Sequence, residues 1–323
     1  MPYMDNTADA AFIPVIISNE ALGAFGGYMN MAKTVSLNWD WTTATQGATL
    51  QIPKRGALVA NSKASNASVV VQNPTATTIP VTLNQHWEST FGIDNVTAVL
   101  ENQNTLVGYG QDAAIALANE VEEYLAAQYA GLSATPITFN ATSATTIDAS
   151  MQAIRTFFSL NKVPKLEQRN VYVSPDMYQN LLTVPQYVQA QNIGLMTRPT
   201  EVPIIKGSVL PIYGLTVWES QFVTTTTVTG SPNTNTDHAI AYTENAFVLA
   251  SRPLPKVPEG FGAVSEVVQD EDVQMGFRTV SSFNPSMTAV QITLDVLFGA
   301  AALDVRRGVE VDYVYTGAVV DGV

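Results

Sequence analysis

From Ile79 to Ile93 the chain alternates. Ile79, Val81, Leu83, Trp87, Phe91 and Ile93 hold odd positions, and Pro80, Thr82, Asn84, His86, Glu88 and Thr90 hold even ones. Gln85 and Ser89 are the polar positions on the apolar side. A period of two over about fifteen residues predicts one strand of roughly 50 Å. Upstream, Leu50-Gln51-Ile52-Pro53 and Val69-Val70-Val71 read as shorter strands, and Asn73-Pro74 as a turn. A strand that long exceeds what a compact domain needs, so Leu50–Ile93 is expected to project from the body as a β-rich loop.

A helical period takes over at Asn104. Leu106, Ala113, Leu117, Val121, Tyr124, Gln128 and Leu132 step by three or four after a first stride of seven, and no proline interrupts them. The spacing predicts a helix over 104–132, about 43 Å long at 1.5 Å per residue, with Gly131 as its stop. Mixed α/β character follows, with a helix over Asp148–Leu160 and a strand Asn170–Val173. Ser174 caps the next helix, and Pro175 is at its first position. Val217-Trp218 belongs to a strand, and Thr224–Asp237 reads as a polar loop. Ala246–Ala250 is a strand, as are the alternating runs Val290–Phe298 and Val309–Tyr313. At the other end, Ser18–Leu22 suits a short helix stopped by Gly23, Gly26 and Gly27. The rest of 1–46 reads as an extended arm with Trp39 and Trp41 on one face.

Composition changes this picture in one respect. The 323 residues are 46% apolar but only 13% charged, against about 25% in an ordinary soluble protein. So few charges leave much of the exterior to be covered by other protein. The net charge of -13 opposes tight wrapping of nucleic acid. With no cysteine there is no disulfide framework, thiolate site or thiol nucleophile. Met1–Ala11 lacks the basic residues of a signal peptide, and no apolar run approaches the ~18 residues of a membrane helix.

Candidate chemistry is sparse. His86 and His238 are far apart, on a polar strand face and in a polar loop, and read as surface residues. Gly108-x-Gly110-x-x-Ala113 fits a relaxed dinucleotide fingerprint, yet no buried strand precedes it, so flexible glycines at a helix start suit it better. Asp270-Glu271-Asp272 reads as a solvated turn. No convergent set of polar groups suggests an enzyme, a cofactor or a metal. Lys54-Arg55, with Lys63 beyond, is either a solvated strand end or a partner for a neighbouring subunit's carboxylates.

In order and spacing, the arm, the strand Ile52-Pro53-Lys54-Arg55, the extended loop, the long Ala-rich helix, the α/β middle and Asp295-Val296-Leu297-Phe298-Gly299 resemble the major capsid proteins of tailed bacteriophages. Within that family the chain resembles the gene-five coat proteins of short-tailed phages. The chain departs from them at Arg306-Arg307-Gly308, where an acidic residue or proline is common. The resemblance implies an α+β fold of the Hong Kong 97 type, with an N-arm over 1–47, a hairpin E-loop over 48–98 and a spine helix of the P-domain over 99–145. An A-domain over 146–239 and the P-domain's C-terminal strands over 240–323 complete it. It implies a non-enzymatic subunit that forms hexamers and pentamers of a virion shell, assembled in the host cytoplasm with scaffold, portal and cement proteins. DNA is enclosed without sequence-specific binding, and no membrane or cofactor is involved. Trp39, Trp41, Lys54, Arg55, Lys63, Trp87, Arg306 and Arg307 are the expected subunit-interface residues. An encapsulin-like nanocompartment shell is the alternative with the same fold.

Overall fold

The computed structural model describes residues 18–37, 49–55, 58–66, 68–73, 75–94, 103–132, 135–188, 211–230, 232–258, 263–270, 274–284, 286 and 289–316. Thirteen strands are present among them. These are β1 (Thr49–Arg55), β2 (Ala76–Thr82), β3 (Gln85–Asp94), β4 (Ile137–Phe139), β5 (Arg169–Val173), β6 (Leu215–Glu219) and β7 (Thr225–Val228). Then come β8 (Thr234–Thr243), β9 (Phe247–Ser251), β10 (Ala263–Gln269), β11 (Gly276–Asn284), β12 (Ala289–Ala302) and β13 (Gly308–Thr316). The principal helices are α1 over 18–28, α2 (Gln103–Ala126), α3 (Ala144–Leu160) and α4 (Pro175–Leu182). Among the described residues no helix is long and apolar enough to cross a membrane.

One sheet runs β10-β11-β12-β3, with β9 pairing the far end of β12, and a second runs β4-β13-β8-β5-β6, with β7 on β8. Strands β1 and β2 form a separate antiparallel hairpin, with Thr49 opposite Thr82 and Arg55 opposite Ala76. The six-stranded sheet works as a party wall. Because successive side chains point to opposite faces, Tyr172, Ile240 and Tyr242 enter one core while Val171, Val173, Ala239 and Ala241 enter another. The first core holds α1, α2 and the inner face of the five-stranded sheet; Phe25 meets Phe277 edge-on at 5.3 Å. The second holds α3 and α4. Helix α3 starts where the Ser143 side chain accepts from Thr146 N–H and the Thr146 side chain accepts from Ser143 N–H. Ser174 caps α4, with Pro175 in its first turn.

The predicted stripe of the long helix is buried at Ala113, Leu117 and Val121, joined by Ala114, Ala118 and Leu125. Helix α2 itself ends at Ala126, and the remainder tightens into a 3-10 turn, Ala127–Gly131. Gly108 and Gly110 lie within α2.

Four expectations are corrected. The helix expected over Ser18–Leu22 is present, but the residues after it, 23–37, are not an extended arm. Ala21, Phe25, Met29, Met31, Ala32 and Val35 are core residues, and α1 passes through its glycines to residue 28. Gly26 lies close to the Asp270 carboxylate, whose Oδ2 would stand 2.2 Å from an added Cβ. The long alternating run is two strands, broken at Leu83–Asn84. Strand β2 belongs to the hairpin, whereas β3 pairs along β12 inside the body sheet. Val69–Val71 is not a strand, its place in the hairpin being taken by β2. The threonine-rich tract 224–237 is a β7–β8 hairpin, with His238 in a strand. Trp39 and Trp41 lie outside the described residues.

Candidate assembly surface

The β1–β2 hairpin is fixed at its base and unsupported beyond it. Ile52 and Val81 are buried against Val248, with Leu50, Ala250, Ala301 and Leu303 around them. Outward from there β2 is almost wholly exposed. In the connecting loop Leu58, Val59, Val69, Val70 and Val71 are between 65% and 83% exposed. Val59 N–H donates to Gln72 Oε1 at 2.9 Å, and the Gln72 amide donates back to the Val59 carbonyl, so a side-chain amide stands in for a strand partner. An apolar tip held away from its own core is an unusual expense for a free monomer.

Three of the predicted interface cations converge at the hairpin's root, on a residue the sequence did not single out. Asp304 lies in the turn between β12 and β13. Lys54 Nζ reaches its Oδ1 at 3.4 Å and the Leu303 carbonyl at 3.3 Å. Arg306 donates through Nη2 at 3.0 Å and Nε at 3.2 Å, and Arg307 Nε stands 3.7 Å away. Arg307 also pairs with Glu167. Lys54, Arg306 and Arg307 thus find carboxylates in their own chain. Burial alone would raise the Asp304 carboxyl, but the Arg306 hydrogen bonds and the Lys54 charge outweigh it and hold it below the usual range.

That linkage gives a prediction. A depressed carboxylate contributes stability above its unfolded value, here 3.8, and loses it as pH falls through the folded one. Because Lys54 and Arg306 are partly exposed, the expected cost of Asp304→Asn at neutral pH is only about 1 kcal/mol. In denaturant melts the gap between the two proteins should close in acid. A gap that persists there would deny Asp304 its ionic role.

The remaining predicted residues are not drawn into this cluster. Lys63 is exposed in the hairpin loop, with no ion pair among the described residues. Arg55 pairs through its backbone with Ala76. Trp87 is 40% exposed on β3 opposite Val296, and its indole N–H donates to Gln85 Oε1 at 3.3 Å. His86 is exposed as expected, 3.7 Å from Asp295.

Sequence reasoning missed a second anchor. Glu122 is 1% exposed on α2. It accepts from Met31 N–H and Ala32 N–H at 3.0 Å each and from the Tyr172 hydroxyl at 2.6 Å. One carboxylate therefore ties the segment after α1, the long helix and β5 together. A cavity of about 480 Å³ opens beside it, lined by Tyr28, Asn119, Glu122, Tyr172 and Phe222 among others. The signal was the spacing, since Glu122 stands four residues after Ala118 and three before Leu125, on the buried side of the helix.

No protein-family model and no curated protein matches the sequence. Solved structures do. A chain from Mycobacterium phage Che8 is 16% identical, with 88% of this chain and 90% of that one covered at a TM-score of 0.59. A chain of the cyanophage Pam1 capsid is 10% identical, covered 91% and 93%, with a TM-score of 0.59. One from the capsid of cyanophage P-SCSP1u is 12% identical, covered 87% and 86%, at 0.57. Nearly the whole chain therefore has the mixed helix-and-sheet fold of phage capsid chains.

Proposed function

We propose that this chain is the major capsid protein of a tailed bacteriophage. It has Hong Kong 97-type architecture, and its copies assemble as hexamers and pentamers into the icosahedral shell around a double-stranded DNA genome. The observation that carries this is the hairpin, whose root is locked to the body while the apolar residues of its tip stand exposed among the described residues. Such a tip is stable only under another molecule. The likeness to capsid chains over almost the full length supports a second copy as that molecule.

The other features fit. A surface with few charges suits subunits buried among subunits, and a net charge of -13 suits an inner wall that does not grip packaged DNA. In this reading 1–47 is the N-arm, with 18–37 as its anchored root, and 48–98 is the E-loop, with β3 as the strand that returns it to the body. The spine region is 99–145, the A-domain 146–239 and the C-terminal P-domain strands 240–323. The chain is structural rather than catalytic and resides in the virion. It assembles in the host cytoplasm with scaffold and portal proteins, and its shell is open to cement proteins outside. Trp39, Trp41, Arg55, Lys63 and Trp87 remain the candidate contacts to neighbours.

Expression of the full chain followed by sedimentation and negative-stain microscopy tests this. Closed particles or capsomers are expected, and a monomer at high concentration, with and without scaffold, overturns it. Val70→Asp with Val71→Asp should abolish particles while leaving the subunit's stability within about 0.5 kcal/mol, because both valines are exposed in the tip. Particles at wild-type yield from that variant would remove the hairpin from the assembly contact.

A further inference from the structure

His238, read from sequence as a surface residue in a loop, lies on the side of the six-stranded sheet that faces the end of the long helix. Strand alternation places it there with Glu310 and Asp312, because Val309, Val311, Ala239 and Ala241 fill the opposite face. His238 and Asp312 are direct cross-strand partners of β8 and β13. Nδ1 of His238 stands 2.6 Å from Glu310 Oε1 and 3.2 Å from Asp312 Oδ1. The three side chains are only 13%, 14% and 21% exposed, and their ligand atoms all lie within 4.8 Å of one another.

Two neighbours fix the imidazole. Tyr129, from the turn after α2, stacks on it with ring centroids 4.4 Å apart and planes 2° from parallel. Thr226 Oγ1, on β7, is 2.9 Å from Nε2. When Nε2–H is donated to that hydroxyl, the Nδ1 lone pair faces two carboxylate oxygens, and a positive charge has to lie between them. A proton on Nδ1 leaves the cluster one negative charge in excess. Among the described residues no Lys or Arg pairs with Glu310 or Asp312. A divalent ion with neutral imidazole balances the charge in full.

We infer that His238, Glu310 and Asp312 form a binding site for one divalent transition-metal ion of the zinc class. The mixed nitrogen and oxygen set favours zinc or cobalt over magnesium or calcium, which prefer oxygen alone. Thr226 is a positioning residue that holds the second ring nitrogen, as outer partners of ligating histidines do. The ion would pin β8 to β13 beneath the helix end, a structural role independent of assembly.

The test uses the full chain, stripped with chelator, loaded with zinc and desalted, its metal measured by mass spectrometry. About one zinc ion per chain is expected in wild type, with at least a ~10-fold loss in His238→Gln and in Asp312→Asn. Thr226→Val should weaken retention by about 10-fold without abolishing it. Cobalt loading supplies a second readout, a visible absorption band present in wild type and missing in His238→Gln. Circular dichroism confirms that each variant is folded. Zinc retained equally by wild type and His238→Gln, or by neither, overturns the site and leaves a proton-bonded His–carboxylate pair.

Discussion

Gly299→Ala should undock the hairpin from the body, at a cost of about 3 kcal/mol or more. An added Cβ would stand 2.1 Å from the Thr82 carbonyl oxygen, 2.9 Å from its carbon and 3.2 Å from Leu83 Cα. All three are backbone atoms, so no side-chain rotation relieves the overlap. Gly299 lies in β12 opposite Ala250, where the chain leaving β2 for β3 crosses over the sheet. The crossing lets one polypeptide be hairpin on one side and body sheet on the other. Gly92→Ala in β3 is the control, since nothing lies within 4 Å of its Cβ position, and it should change stability by no more than about 0.5 kcal/mol. Limited proteolysis reads the difference. The loop between β1 and β2 and the Leu83–Asn84 junction should become sensitive in Gly299→Ala alone, while the second core, which shares no residue with the hairpin root, stays protected. A hairpin as resistant as wild type's would mean that the crossing relaxes freely and does not hold the loop.

This crossing also marks how far the sequence could be read. The alternation from Ile79 to Ile93 was legible and correct in parity, with Val81 buried and the even positions exposed. The break was not, because a two-residue interruption at Leu83–Asn84 keeps odd positions on the same side, and a period of two cannot register it. At the break the Thr82–Leu83 backbone passes over Gly299, more than two hundred residues away, which a local pattern cannot register. The root of the arm was hidden for a similar reason. Three glycines in 23–27 argue locally for a stop, but Gly26 lies close to the Asp270 carboxylate, and the helix is held by Phe25 against Phe277. Threonine misled at 224–227, where its polarity suggested a loop and its branched Cβ favoured the strand that formed.

Features enforced by short-range chemistry came through. Ser174-Pro175 caps α4, and the α2 stripe is buried at Ala113, Leu117 and Val121. Candidate contacts fared differently. Lys54, Arg306 and Arg307 were noticed as charges, but their common partner Asp304 is drawn in only by the turn from β12 to β13. His238 was misplaced with its strand, so the carboxylates beside it could not be seen. Pairings of this kind depend on which strands lie side by side, and that is fixed by the tertiary fold.

Glu122→Ala should cost about 3–5 kcal/mol, because it strands the amide N–H groups of Met31 and Ala32 and the Tyr172 hydroxyl at a buried site. The loss should be felt first in 18–37, whose entry into the main core those two amides secure, and hydrogen exchange there should accelerate before exchange in α3 or β13 does. Glu122→Gln separates charge from shape. Burial raises the Glu122 carboxyl above its ordinary value of 4.5 despite the hydrogen bonds from Tyr172, Ala32, Met31 and Asn30. For a raised carboxyl the stabilising contribution is complete below 4.5 and is lost as pH rises through the folded value. Wild type should therefore lose stability with rising pH across that window relative to the glutamine variant, whose amide does not titrate. The variant has its own penalty at every pH, since its –NH2 group faces donors where an acceptor is needed. Denaturant melts of the two proteins from pH 4 upward measure both terms. Parallel curves would show that Glu122 keeps the same protonation state folded and unfolded, and wild-type exchange in 18–37 for Glu122→Ala would show that the apolar contacts of Phe25, Met29 and Met31 hold the segment without it.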